Sequence, residues 1–340
     1  MTNLTLFLLT TLLAAGDPNL NNAGAAHYRQ GDYRQAEQLY LDALQDHPAA
    51  AQAAVTWNNL GALYRAQGRL LEAQKAYRQA LALKGGAPPD SATAMIWSNL
   101  AETERRLGDA AQARQAVERA RAMFAPYVAA DPLNFASILH TESNLALERG
   151  ERARARQLLE ESLHLRVRAA GPRHALVAAT HNNLAHICLG DQEWGCAEEH
   201  LNEGVAIAKE TLPANHPQLA VLYNNLAQLR KHRGHWQEAD NLYRRATSIL
   251  EQSLGASHPD LASILQNHGD LFQRQGKLAG AEKLYRRALG ILQDQPVLQR
   301  VAVANLLDVL AFLQQAQNRP EAAKRTQALR AARFSDSPRE

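Results

Sequence analysis

The chain has 340 residues, enough for two or three ordinary domains or for one array that grows by repetition. Ala, Leu, Gln, Arg and Glu dominate, aromatic residues make up 6%, and no long Val/Ile/Thr-rich run marks a sheet, so an all-α protein is expected. Lys plus Arg (37) barely exceeds Asp plus Glu (34) and the signs are interspersed, which argues against the strongly basic footprint of a nucleic-acid binder.

In chain order the first feature is residues 1–16, which contain no charged side chain. Leu4 to Ala15 is apolar apart from threonines, too short to span a ~30 Å hydrocarbon core as a helix, so no integral membrane span is expected. It fits the core of a secretory signal, with small residues Ala14, Ala15 and Gly16 before Asp17. The start lacks Lys and Arg, and no early Cys offers a lipid attachment site. Export with a mature chain from about Asp17 is the expectation; an apolar first helix or uncleaved anchor on a cytoplasmic protein is the alternative.

From there one pattern recurs. The second copy is the cleanest: Trp57-x-x-Leu60-Gly61-x-x-Tyr64, then Gly68, Ala73, Tyr77 and Ala80. The alanine after the turn gives a marker at Ala36, Ala73, Ala113, Ala155, Ala197, Ala239, Ala281 and Ala323, with intervals of 37, 40 and then 42 five times running. The blocks from His216 and His258 share 15 of 42 residues. Small residues such as Gly61, Ala227 and Gly269 let paired helices approach. Large ones (Trp57, Tyr77, Tyr243, Tyr285) are expected to fill the gap to the neighbouring hairpin. Gly31, Gly68, Gly108, Gly150, Gly234 and Gly276 sit where a left-handed residue is expected to end the first helix of a pair. His216-Pro217 and His258-Pro259 start new hairpins, because Pro is tolerated in a first turn. Three copies depart from the pattern: Glu142 stands for Leu, and Gln192 and Asn318 stand for the turn Gly. Gly85 to Pro89 reads as a loop, and 335–340 as a frayed, disordered tail.

The stretch from Trp57 to Ala80 matches the tetratricopeptide signature. The 42-residue version, with His-Pro-x-Leu-Ala, Asn-Asn-Leu-Ala and Leu-Tyr-Arg-Arg-Ala, resembles the repeats of kinesin light chains and their bacterial relatives over residues 17–334. The resemblance implies a right-handed superhelical solenoid of about eight helix-turn-helix repeats, and a scaffold that binds a peptide or protein rather than an enzyme.

No catalytic signature is present: no Gly-x-Ser-x-Gly, no phosphate-binding Gly-rich loop, no His-Glu-x-x-His, and no cofactor is expected. His186, Cys188, Cys196 and His200 fall in one repeat, but their spacing matches no common zinc pattern. Cys188 and Cys196 flank the turn symmetrically about Gln192, so they are candidates for a disulfide in an oxidising compartment.

The sharper signal is a ladder. Asn22, Asn59, Asn99, Asn183, Asn225 and Asn267 occupy one register position, although Asn costs a helix about 0.6 kcal/mol relative to Ala. The resemblance implies that first helices line a concave groove in which these amides hydrogen-bond the backbone of an extended peptide. The alternative is that each Asn bonds a neighbouring helix and sets the stacking. Helical spacing adds a stripe beside the ladder: Asn59/Ala62/Ala66, Asn99/Glu102/Arg106, Asn183/His186/Gly190, Asn225/Gln228/His232 and Asn267/Asp270/Arg274. It lacks the clustered Lys and Arg of a clamp for a C-terminal carboxylate. Two other readings compete with the scaffold: a structural or self-associating component of a larger complex, and a helical-repeat RNA binder, which the charge balance disfavours.

Overall fold

The computed structural model describes residues 18–30, 32–46, 48–85, 90–293 and 300–334. The expected signal segment 1–16 and the tail 335–340 lie outside the described residues, as do Gly31 and residues 86–89 of the expected loop. Among the described residues there are sixteen α-helices and no strand. The first eight are α1 (Pro18–Gln30), α2 (Tyr33–Gln45), α3 (Ala50–Ala66), α4 (Leu70–Leu83), α5 (Ser91–Arg106), α6 (Ala110–Phe124), α7 (Pro132–Glu148) and α8 (Arg152–Ala170). They are followed by α9 (Ala175–Gly190), α10 (Trp194–Thr211), α11 (Pro217–His232), α12 (Trp236–Leu254), α13 (Pro259–Arg274), α14 (Leu278–Gln293), α15 (Arg300–Ala316) and α16 (Pro320–Phe334). No described helix is long and apolar enough to cross a membrane.

The chain forms two compact units. One runs through Asp191 and takes in Ala206–Thr211; the other comprises Gln192–Val205 and the chain from Leu212 onward. In the first, α1 packs on α2, α3 on α4, α5 on α6 and α7 on α8, and each second helix also touches the next first helix. The other repeats this order with α11/α12, α13/α14 and α15/α16. A hairpin alone leaves one apolar face bare, and the next hairpin covers it.

The marker alanines show why this spacing works. Ala36, Ala73, Ala113, Ala155, Ala197, Ala239 and Ala281 have no exposed surface, and Ala323 is 3% exposed. The large residues also pack within their own hairpin. The Tyr77 ring lies over Gly61 of its partner helix, where an added Cβ would come within 2.6 Å of the ring, and it shares a buried cluster with Ile96 and Leu100 of α5. Gly24 meets Tyr40 and Gly269 meets Tyr285 in the same way. Where the small residue is Ala101, Ser143 or Ala185, the partner position holds Val117, Leu159 or Leu201 instead of Tyr. Gly61→Ala is therefore expected to destabilise the first unit by about 1–3 kcal/mol through overpacking. Gly290→Ala, whose Cβ meets nothing within 4 Å, should gain up to about 1 kcal/mol in the other. Urea unfolding of the two variants checks this, and equal effects would discard the ring-contact argument.

The turns keep their geometry even where glycine is missing. Gln192 (φ 61°) and Asn318 (φ 56°) occupy the left-handed region that Gly68, Gly108, Gly150, Gly234 and Gly276 fill elsewhere. Glu142, the other irregular residue, is held by Arg121 and Arg154.

The first helices α5, α7, α9, α11 and α13 start on side-chain caps. Asp90 and Asp131 accept from the backbone N–H groups of Thr93 and Asn134. In α9, α11 and α13 the cap is a histidine: Nδ1 of His174, His216 and His258 accepts from Leu176, Gln218 and Asp260. The His-Pro step is thus two devices, a cap and a first-turn proline. An acceptor Nδ1 requires a neutral ring, and burial holds the His216 pKa down at about 4.

Candidate functional site: the asparagine ladder and the first-helix face

In the first unit, Asn59 on α3 donates from Nδ2 to Asn21 Oδ1 on α1 at 3.1 Å, and Asn99 on α5 donates to Asn58 Oδ1 on α3 at 3.0 Å. Asn183 on α9 donates to Nε2 of His140 on α7. In the other unit, Asn267 on α13 donates to Asn224 Oδ1 on α11 at 3.0 Å. Each acceptor sits one residue before the ladder position of the preceding repeat. The doublets Asn58-Asn59 and Asn224-Asn225 are therefore relays, the first residue receiving the next helix and the second anchoring to its surroundings. Asn225 Oδ1 accepts from Asn224 at 3.2 Å and from Gln228 at 3.3 Å.

This geometry bears on the groove expectation. Asn59, Asn99, Asn183 and Asn225 are 2–6% exposed, and Asn267 is half-buried. Amides open to solvent and ready for a peptide backbone are not what these positions present. Their donors at 59, 99, 183 and 267 go to the neighbouring first helix, the stacking alternative of the sequence reading.

The stripe beside the ladder divides in two. In the first unit its centre is buried and charged at Glu102, while Ala66, Arg106 and His186 are half-buried and Gly190 is exposed. Glu102 is 1% exposed and takes two 2.8 Å bonds from Arg105, whose other arm holds Glu148. Burial alone would raise the Glu102 pKa, but Arg105, Arg65 and Arg106 outweigh it and hold it at about 2. Ala62 is buried, Ala66 half-buried, and the Arg106 guanidinium donates to the Arg65 carbonyl at 3.2 Å. His186 is half-buried, and burial, then Arg152, lowers its pKa; Gly190 accommodates the Arg152 side chain.

In the other unit the stripe reaches solvent. Gln228 is half-buried, and His232 is exposed, stacked on Trp194 at 4.9 Å between ring centres. Asp270 receives Lys231 at 2.6 Å and Arg274 at 3.1 Å, and Arg274 is exposed. Burial would raise the Asp270 carboxyl, but the Lys231 bond, with Arg274, keeps its pKa low.

Two buried groups went unread in the sequence. His140 is 2% exposed, and burial, with Arg166 and Arg105 acting against Glu102, depresses its pKa to about 3. Arg166 on α8, also 2% exposed, occupies the register position held by Phe124, Leu250 and Leu292 in other repeats. It donates to the Leu176 carbonyl at 3.0 Å and to Thr180 Oγ1 at 2.6 Å, both neutral, and its Nε has no partner. Burial lowers its pKa to about 10. Register alignment was the signal that would have found it: a guanidinium where sister repeats hold Leu or Phe.

Cys188 and Cys196 are both disulfide-bonded. A sulfur in a disulfide is no longer a thiolate and is a poor ligand for zinc.

The repeat spacing, helix pairing and turn geometry converge with the comparisons to known proteins. One tetratricopeptide repeat model matches residues 52–125, 181–252 and 218–294, more than half of the chain, and a second matches 20–47 and 135–176. The chain belongs to the tetratricopeptide repeat family. Among solved structures, BtubC (BKLC) from P. vanneervenii is 22% identical, with 70% of this chain and 94% of that one covered and a TM-score of 0.55. The Cut9–Hcn1 hetero-tetramer of the APC/C (14% identity, 94% and 54% covered, TM-score 0.63) and apo RapI (16%, 80% and 94%, 0.56) share the fold. No curated protein matches the sequence. The architecture is one of protein–protein interaction and scaffolding.

Proposed function

We propose that the chain is a non-enzymatic scaffold that holds a peptide or protein partner along the first-helix face of α11 and α13. One observation carries this: Gln228, His232, Asp270 and Arg274 form a solvent-reaching row of donors and acceptors, while the Asn267–Asn224 bond fixes the spacing of the two helices beneath it. The ladder then acts as the frame of the surface, and the stripe makes the contacts. Rigid frames favour binding because less freedom is lost on association.

A photo-crosslinking residue placed at Gln228 or Arg274, in protein expressed in its native host, tests the proposal. A specific adduct should form from these two positions and not from Ser248 or Gln252, exposed on α12. Adducts from both faces alike, or only from α12, would overturn it. We also propose export, supported by the disulfide, since such bonds persist in oxidising compartments. Two titratable thiols in unfolded, unreduced native-source protein would count against it.

A further inference from the structure

Along α15 the pattern of the other first helices changes. Arg300 and Asp308 are its only charged side chains, and Val303, Leu306, Leu307, Leu310, Ala311 and Leu313 are buried as it packs on α14 and α16. Apolar residues are left for its outer side. Val301 is 74% and Phe312 60% exposed, the two barest large apolar residues among those described. Their positions are not scattered. Val301, Asn305, Asp308, Phe312 and Gln315, all exposed, follow one another at spacings of four, three, four and three. That alternation is the heptad seam of two helices packed side by side, about 21 Å long here. In α11 and α13 the register position of Phe312 holds Gln228 and Asp270, so the row turns apolar where the helices before it are polar.

The row is also its own complement. Turned end for end about an axis midway between Leu306 and Leu307, it maps onto itself: Val301 falls on Phe312, and Asn305 falls on Asp308. Each layer then matches in kind. Two apolar layers close the ends, and two amide–carboxylate layers lie between them. Arg330 of α16 already holds Oδ1 of Asp308 at 2.6 Å, which leaves Oδ2 to accept from an amide. A parallel arrangement fails, because it sets Asp308 against Asp308 and Asn305 against Asn305. A face that complements itself under a two-fold axis is what a closed dimer requires.

We propose that α15 packs antiparallel against α15 of a second copy of this chain. Val301 of each copy covers Phe312 of the other, and the Asn305 amide of each donates to the Asp308 carboxylate of the other. The polar layers fix the register, as a single Asn does in coiled coils, and the apolar layers supply the affinity. The occupant is a second copy because every exposed side chain from Val301 to Phe312 finds its match within the row itself. The seam is short beside a standard interface, so a weak dimer is expected, with a Kd of roughly 10–100 μM. None of these residues belongs to the partner-binding row of α11 and α13, so the two readings stand or fall separately.

Sedimentation velocity of the full chain at about 5–300 μM tests this, and wild type should pass from monomer to dimer across that range. Val301→Lys and Phe312→Glu each put a charge into both end layers and should weaken the dimer at least about tenfold. Both side chains are exposed, so the melting curves should match wild type. The pair Val301→Arg and Phe312→Asp repeats the experiment if either first variant melts early. The decisive arm mixes the two variants in equal amounts. A mixed pair keeps one Val301–Phe312 layer and sets the introduced Lys against the introduced Glu in the other. Association should therefore return to within about fivefold of wild type. A monomer at every concentration, a dimer indifferent to both substitutions, or a mixture no stronger than its components would each overturn the proposal.

Discussion

Replacing His140 by Asn should remove the His140 share of the acid sensitivity of the first unit between about pH 6.5 and 4.5. The shares of His174 and His186, whose pKa values burial also lowers, remain. His140 is buried, its Nε2 accepts from Asn183, and its pKa sits at about 3 in the fold against an ordinary value of 6.5. The direction follows from proton counting. Below pH 6.5 the unfolded chain gains a proton at His140 while the folded chain stays neutral there, so stability is fully present above that pH and falls as pH drops toward the folded pKa. Two pH steps at about 1.4 kcal/mol each give a loss of roughly 3 kcal/mol by about pH 4.5. Neighbouring repeats hold the natural replacement at this register: Asn58, Asn182 and Asn224. His140→Asn keeps an acceptor for Asn183 and no longer titrates.

At about pH 7 the His140→Asn variant should unfold close to wild type, while at about pH 4.5 it should be the more stable by up to about 3 kcal/mol. Hydrogen exchange at α7 and α9, together with urea unfolding at the two pH values, is the suitable readout, because repeat arrays need not unfold in one step. Glu102, held at about 2, loses its contribution only at lower pH and does not confuse this window. Parallel pH profiles for wild type and variant would mean that His140 does not carry the effect.

The second large effect belongs to the ladder. The triple substitution Asn59→Ala, Asn99→Ala and Asn183→Ala removes three bonds between consecutive first helices of one unit. Each loss leaves a partner (Asn21, Asn58 or His140) without its donor, at about 1–3 kcal/mol when buried. The gain in helix propensity returns only about 0.6 kcal/mol per site. The net expectation is a loss of roughly 1–7 kcal/mol, with the three sites close to additive because they lie in separate repeats. A groove of solvent-facing asparagines predicts the contrary: stability nearly unchanged and partner affinity lost. Thermal unfolding and partner titration on the same triple variant separate the two, and an unaltered melting temperature would show that the inter-helix bonds carry little weight.

What the sequence determined by itself was periodic. The alanine markers, the turn glycines and the 42-residue spacing fixed the fold class, the hairpin boundaries and the family, because close helix packing imposes the same residue sizes at every copy. It also singled out the asparagines, since a poor helix former repeated at one register demands a use. The sequence could not say which use, because an amide offers the same donor and acceptor to a peptide or to a neighbouring helix. That choice was made by tertiary geometry, which brings Asn21, Asn58, His140 and Asn224 within bonding distance of the next repeat's amide. The same holds for the tyrosines: ring size was legible in one dimension, but only the packed hairpin showed Tyr77 lying on Gly61.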